Sequence, residues 1–189
     1  MSTPAGHLKS AVPRLVVLAK APQPGLSKTR LCPPLSSHEA ADLAEIALIA
    51  TLQAVMSTPG CEPMLVLEGP VGSWTPSIEV LPQRGITLGE RLTAAFDDAH
   101  GPALVVGMDT PQVTPELLTE GLNHLRRPDL DAVFGPTTDG GYWAVGLKKA
   151  PSRSVRGRTH EHSMDRGGTA GQLRTAGSQV RHSPRIVGL

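Results

Sequence analysis

Along this chain, runs of branched apolar residues alternate with segments whose apolar positions recur every three or four residues. "RLVVLA" (Arg14–Ala19) is a continuous β-branched run, as expected of a strand buried on both faces of a sheet. "SSHEAADLAEIALIATLQAVMS" is the clearest helix: Ser36 and Glu39 have capping-box spacing, and Leu43, Ile46, Ala47 and Ala50 repeat at helical intervals. "MLVLEG" (Met64–Gly69) predicts a second strand and "SIEVLPQ" a weaker third. "LGERLTAAFDDAHG" predicts a short helix closed by Gly101, and "ALVVGM" another buried strand. "TPELLTEGLNHLRR" predicts a helix with Thr114 as N-cap and Pro115 at its first position. "LDAVFG" and "YWAVGL" supply two further strands. This alternation predicts an α/β sandwich around a mostly parallel central sheet. Sheets of that kind bind ligands outside the carboxyl ends of their strands. The loops after Ala19 and after Met108 both fall at such ends.

At 189 residues the chain is long enough for one domain with a sizeable core. Its net charge of +1 points to neither a nucleic-acid nor an acidic partner, but the charge is unevenly spread. Residues 1–150 hold 11 Lys and Arg against 15 acids, whereas residues 151–189 hold 7 Arg against 2. Cys32 and Cys61 fit no metal or redox spacing and read as free thiols of a reducing compartment. Met1–Pro13 is a polar lead-in, "LVVLA" is too short for a signal h-region, and no stretch approaches the roughly 20 apolar residues that span a bilayer. A cytoplasmic chain with no membrane partner is expected.

Three loops carry candidate chemistry. "AKAPQPGLSKTRL" (Ala19–Leu31) places Lys20, Lys28 and Arg30 around Gly25, and its Lys28-Thr29 resembles the end of a P-loop. A P-loop needs G-x-x-x-x-G-K-[ST]; here Ser27 and Pro22 stand at the two glycine positions, and proline has no N–H to donate, so that reading fails. What remains is a strand-end loop of cations suited to polyphosphate, or simply a solvated loop. In "VVGMDTP", Asp109 follows a buried strand, where one carboxylate can hold Mg²⁺ that takes its other ligands from water and phosphate; Asp before a turn is the plainer alternative. In "GPTTDGGYWAVGL", Gly140 and Gly141 permit close backbone approach and Asp139 could hold a metal or a sugar hydroxyl, against a tight turn with Tyr142 and Trp143 packing. His38, His100 and His124 fall on helices or their ends and read as surface residues.

Taken in order, "KAPQPGLSKTRL", "QRGITLGERLTAAF", "VVGMDTPQVTPELL" and "GPTTDGGYWAVGL" resemble the signature of a bacterial GT-A-like family over residues 14–148. Its members are described as nucleotide-diphospho-sugar transferases or glycosyltransferases, related to the nucleotidyltransferases of molybdenum-cofactor and deazaflavin-cofactor synthesis. The resemblance implies a Rossmann-like GT-A sandwich over residues 14–149. It implies a nucleotide-phosphate loop of Lys20, Gly25, Lys28 and Arg30, a nucleotide cleft lined by Gly89 and Arg91, and Asp109 at a divalent metal, Mg²⁺ or Mn²⁺. Asp139, Gly140, Gly141 and Tyr142 would fall in the sugar or acceptor region. The implied reaction is metal-assisted transfer from a nucleoside triphosphate or nucleotide sugar to a small-molecule acceptor. Lys28, Arg30 and the Asp109-bound metal would offset the departing charge.

The resemblance ends after "YWAVGLKKA". Residues 150–189 hold no Phe, Trp or Tyr and read as a divergent basic tail, disordered or poorly packed. As a nucleic-acid arm it lacks aromatic interleaving, and His160 with His162 lacks a second ligand cluster. "VRGRTHEH" (Val155–His162) can be encoded as GTT CGA GGG CGT ACC CAT GAG CAC. Read one base later, with A following, this gives Phe-Glu-Gly-Val-Pro-Met-Ser-Thr, which resembles the family's segment at this point. A frameshift near Pro151–Val155 is therefore expected, and with it the loss of a late acidic motif near the metal. The alternative function is accordingly a catalytically silent nucleotide-binding module.

Overall fold

The computed structural model describes residues 12–138, 140–151 and 186–189. Strand β1 (Arg14–Lys20) lies inside the sheet, and Leu15, Val16 and Val17 have no exposed surface, as a run without polar alternation requires. It pairs in parallel with β2 (Glu62–Glu68) on one side and β4 (Ala103–Gly107) on the other. β3 (Glu79–Pro82) extends the sheet beyond β2. β6 (Tyr142–Leu147) runs antiparallel between β4 and β5 (Ala132–Pro136), and β7 (Ile186–Gly188) lies parallel beyond β5. The order is therefore β3-β2-β1-β4-β6-β5-β7, with β6 alone reversed among these seven.

Helices α1 (Ser37–Met56) and α3 (Pro115–Arg126) share one face of the sheet, where Leu48, Leu52 and Val55 meet Leu118, Leu122, Leu125 and the inward residues of β1, β2 and β4. Helix α2 (Leu88–Ala99) covers the other face through Ala95, Phe96 and Ala99 against Val16, Met64, Val66 and Val105. The expected capping box at Ser36–Glu39 and the Thr114 cap are both formed. A β-bulge between β5 and β6 turns Trp143 and Ala144 towards the same core. The Trp143 indole then lies over Gly135, where a Cβ would come within 2.5 Å of the ring.

Three details differ from the sequence reading. Leu43 and Ile46 are 42% and 65% exposed, and α1 packs instead through Ala40, Ala44, Ala47, Leu48 and Leu52. Small residues let this helix sit close on the sheet, so the apolar bulk of Leu43 and Ile46 is left outside. Helix α2 ends on His100, in the left-handed region at φ 52°, one residue before the glycine expected to close it. Finally, the expected tail 150–189 contributes β7. Val187 and Leu189 pack on the α1–α3 core, and the Leu189 N–H donates to the Phe134 carbonyl at 3.0 Å. Gly121 leaves room for the Leu189 methyls, since a Cβ there would lie 3.2 Å from one of them. A four-residue apolar run suffices to extend the sheet edge, and averaging over a forty-residue, arginine-rich segment hides it. The frameshift expectation and the His160–His162 pair lie outside the described residues.

The packing of α1 is checked by two substitutions. Leu48→Ala is expected to cost roughly 2–5 kcal/mol and Ile46→Ala less than about 0.5 kcal/mol in denaturant unfolding. Equal losses would mean that α1 is rotated from the face described.

Candidate active site

The chain leaves β1, crosses to β2 on one side, and returns after β3 and α2 to β4 on the other. The loops following β1 and β4 therefore diverge from adjacent strand ends, opening a crevice where strand order reverses. A cleft of about 630 Å³ lies there. Its walls are the end of β1 (Leu18–Lys20), Gln83 after β3, the first turn of α2, the β4 loop from Gly107 to Gln112, and the start of β6. Because β6 runs backwards, its beginning rather than its end reaches the cleft, bringing Gly141, Tyr142 and Trp143. A second hollow of about 740 Å³ runs along α3 and shares no lining residue with it.

The β1 loop is held by its own backbone. The N–H groups of Leu26 and Ser27 donate to the Gln23 carbonyl at 3.1 and 3.0 Å, and the Gln23 N–H donates to Ser27 Oγ at 2.9 Å. Lys28 follows with φ 46°, a left-handed conformation that side chains other than glycine seldom adopt, and begins a 3-10 turn over Thr29–Leu31. Its ammonium meets Asp109 Oδ1 at 2.6 Å, joining the β1 and β4 loops. The two side chains are 23% and 63% exposed, so the pair itself is worth on the order of 1 kcal/mol or less. The β4 loop is further fixed by Met108, whose Sδ accepts from the Lys20 N–H at 3.2 Å and whose carbonyl accepts from Thr51 on α1 at 3.4 Å.

The opposite wall turns on Arg91. Its guanidinium donates to Glu68 Oε2 at 2.6 Å, Gln83 Oε1 at 2.9 Å and the Gly85 carbonyl at 3.2 Å. Glu68 also meets Lys20 Nζ at 3.3 Å, so one carboxylate bridges two cations. Gln83 in turn donates to the Ala19 carbonyl at 3.1 Å. Gly85, at φ 108°, lets the chain pass close under α2; a Cβ there would lie 2.9 Å from the Arg91 nitrogen. The helix start is set by the Thr87–Glu90 capping box.

Among the residues singled out in the sequence, Lys20, Arg91, Asp109, Gly141 and Tyr142 line the cleft. Lys28 reaches its edge through Asp109. Gly25 and Arg30 are exposed on the β1 loop and are not among the lining residues. Gly89 lies in the first turn of α2, its carbonyl accepting from Thr93 Oγ1 at 2.8 Å, between lining residues Leu88 and Arg91. Gly140 is exposed at φ 87°, and Asp139 lies outside the described residues. Glu68 and Gln83 went unremarked in the sequence. Glu68 ends β2 beside β1 and Gln83 follows β3, the next strand out, positions that become telling only once strand order is known.

The described residues contain no group of three or more His, Cys, Asp or Glu side chains arranged to hold a metal. Asp109 nevertheless suits a hard cation: it is exposed to the cleft and already attracts an ammonium to one oxygen. Mg²⁺ commonly takes one or two carboxylates and fills its octahedron with water and phosphate oxygens. The donor set therefore fits a metal arriving with phosphate and does not form an all-protein cage. No helix among the described residues is long and apolar enough to cross a membrane.

The strand order, the reversed β6 and the cleft at the β1–β4 switch define a GT-A-like fold of the nucleotide-diphospho-sugar transferase type. The chain belongs to a bacterial family described as "Uncharacterized protein conserved in bacteria (DUF2064)", which matches residues 44–160. That range begins inside α1, so it takes in the β4 and β6 loops and leaves out the β1 loop. Among solved structures, a "putative nucleotide-diphospho-sugar transferase" from Desulfovibrio desulfuricans G20 is similar at 27% identity and a TM-score of 0.67, over 79% of this chain and 70% of that one. A hypothetical transferase from Thermus thermophilus aligns at 23% identity and a TM-score of 0.43, over 72% of this chain and 65% of that one. Rv0371C of Mycobacterium tuberculosis H37Rv, in complex with manganese, aligns at 18% identity and a TM-score of 0.42, over 76% and 73%. The last two likenesses are too loose to bear on chemistry. No curated protein matches the chain in sequence.

The wall at α2 makes a pH-dependent prediction. Backbone N–H groups of Thr87 and Ile86 donate to Glu90 and hold its carboxyl below the ordinary glutamate range. Its contribution is thus complete above that range and is lost as pH falls through the lowered value. The gap in Tm between the wild type and Glu90→Ala is expected to be widest near neutrality and to close in acid. A gap unchanged from pH 7 to pH 3 would contradict this.

Proposed function

We propose that this protein is a divalent-metal-dependent transferase that uses a nucleoside triphosphate or a nucleotide sugar as donor. The observation that carries the reading is the meeting of Lys28 and Asp109 at 2.6 Å across the β1–β4 switch point. It sets a cation and a metal-competent carboxylate at one edge of a cleft otherwise large enough for a nucleotide. Leu18, Leu92 and Trp143 give that cleft apolar surface for a base or sugar ring, and Lys20 and Arg91 give it positive charge. The β1 loop and the cleft together carry Lys20, Lys28, Arg30 and Arg91 against Glu68 and Asp109, a surplus that suits a diphosphate.

In this reading Asp109 holds Mg²⁺ or Mn²⁺, which supplies Lewis-acid stabilisation of phosphate oxygens when bound. Lys28 and Arg30 offset charge that builds on the departing diphosphate, and Lys20 with Arg91 orients the nucleotide against the α2 wall. Gly140, Gly141 and Tyr142 form the side on which the acceptor enters. Two reactions use the same arrangement. An acceptor phosphate attacking the α-phosphorus releases pyrophosphate, and an acceptor attacking the anomeric carbon releases a nucleoside diphosphate. A second reading, a silent nucleotide-binding module, is favoured by Asp109 standing without a metal-holding acidic cluster among the described residues.

Thermal shift across nucleotides and nucleotide sugars, with and without Mg²⁺, is expected to give a metal-dependent rise in Tm for the true donor. That donor should then yield pyrophosphate or nucleoside diphosphate, at a rate reduced about 10²- to 10³-fold in Asp109→Ala. Binding without release would establish the silent module. Release unaffected by Asp109→Ala would refute the assigned role of Asp109.

A further inference from the structure

The geometry points to Lys28 as a built-in counter-ion that occupies the cation position of Asp109, so that the site admits a metal–diphosphate complex in preference to free metal. The inference rests on the reading of Asp109 as the metal's carboxylate and adds to it the form in which the ligand arrives.

Three observations support it. The Lys28 ammonium is 2.6 Å from Asp109 Oδ1, so a metal ion drawn to that oxygen meets a cation already there and competes with it. The Asp109 side chain remains 63% exposed and lines the cleft, whereas that of Lys28 is 23% exposed and is not among the lining residues, so the carboxylate is open to an ion arriving in the cleft. And the lysine holds a left-handed backbone, at φ 46° and ψ 36°, in a loop otherwise closed by hydrogen bonds between Gln23, Leu26 and Ser27. A side chain in that conformation persists because its surroundings favour it, and the pair with Asp109 is one such contact.

The exchange balances in charge. A bare metal ion gains one carboxylate at Asp109 and leaves the Lys28 ammonium without a partner. Among the described residues no group of three or more His, Cys, Asp or Glu side chains is arranged to hold the bare metal. A metal already carrying diphosphate brings its own oxygen ligands and offers the displaced ammonium a phosphate oxygen in return, a charge-assisted contact of the kind lysine makes readily. The number of ion contacts made by the two side chains then rises by one, whereas with free metal it only stays the same. Metal and diphosphate must therefore bind with positive coupling, each raising the affinity of the other by the same factor. The protein thus disfavours free divalent cations and favours the complexed form in which nucleotides carry them.

Mn²⁺ serves as the probe, titrated into the full-length protein with free Mn²⁺ followed by electron paramagnetic resonance, with and without inorganic pyrophosphate. Wild type is expected to bind Mn²⁺ alone weakly and at least tenfold more tightly when pyrophosphate is present. Lys28→Met is expected to bind Mn²⁺ alone about tenfold more tightly than wild type and to lose most of the pyrophosphate gain. Lys28→Gly, which suits the left-handed backbone, should behave alike and covers the case of a misfolded methionine variant. Asp109→Asn should abolish binding under both conditions. If the lysine variants bind Mn²⁺ no better than wild type while Asp109→Asn binds none, the counter-ion role is refuted and the metal site stands. If Mn²⁺ binding is indifferent to Asp109→Asn, the metal site falls and the counter-ion role falls with it.

Discussion

The reversal of strand order at β1 is the constraint on which the rest depends. A parallel strand with two parallel neighbours, one reached directly and one after a detour through β3 and α2, sends its following loop in one direction while the loop of its neighbour goes in the other. The gap between them has to exist whatever the loops contain. It also requires β1 to be buried on both faces, which is why Leu15–Val17 permit no polar alternation. The loops flanking that gap present Lys20 and Lys28 from one side and Met108 and Asp109 from the other.

Charge in the cleft is arranged in bridged sets. Glu68 holds Lys20 and Arg91 together, Gln83 ties Arg91 to the β1 carbonyl of Ala19, and Asp109 holds Lys28. These contacts lie at the surface, where each is weak, but they fix long side chains that would otherwise sample many rotamers. Ordering cations before a polyanion arrives lowers the entropic cost of gripping it. Such preorganisation is a property of the whole set. Arg91, with three acceptors from the end of β2 and the β3–α2 loop, is its most constrained member.

Much of this was legible in the sequence, for identifiable reasons. Strands such as "LVVL" and "ALVVG" announce burial on both faces by composition alone, and capping residues at Ser36 and Thr114 mark helix starts within one position. The outward face of α1 was not legible, because alanines that permit close approach look less like a core than Leu43 and Ile46 do. Nor was β7, since a short apolar run in a basic segment carries too little local signal. At the site, loop chemistry singled out Lys28 and Asp109, but their contact joins residues 81 positions apart and exists only through strand order. Glu68 and Gln83 stayed invisible for the same cause.

The reversed strand β6 has a wider consequence. The β4 loop hangs from the parallel part of the sheet, whereas Gly141–Trp143 come from the hairpin that joins β5 to β6. A hairpin can gain or lose residues at its tip without changing the register of the strands behind it. The two sides of the cleft are thus modular. Evolution, or an engineer, can lengthen or reshape the hairpin tip at 137–141 and leave the cationic half of the molecule undisturbed.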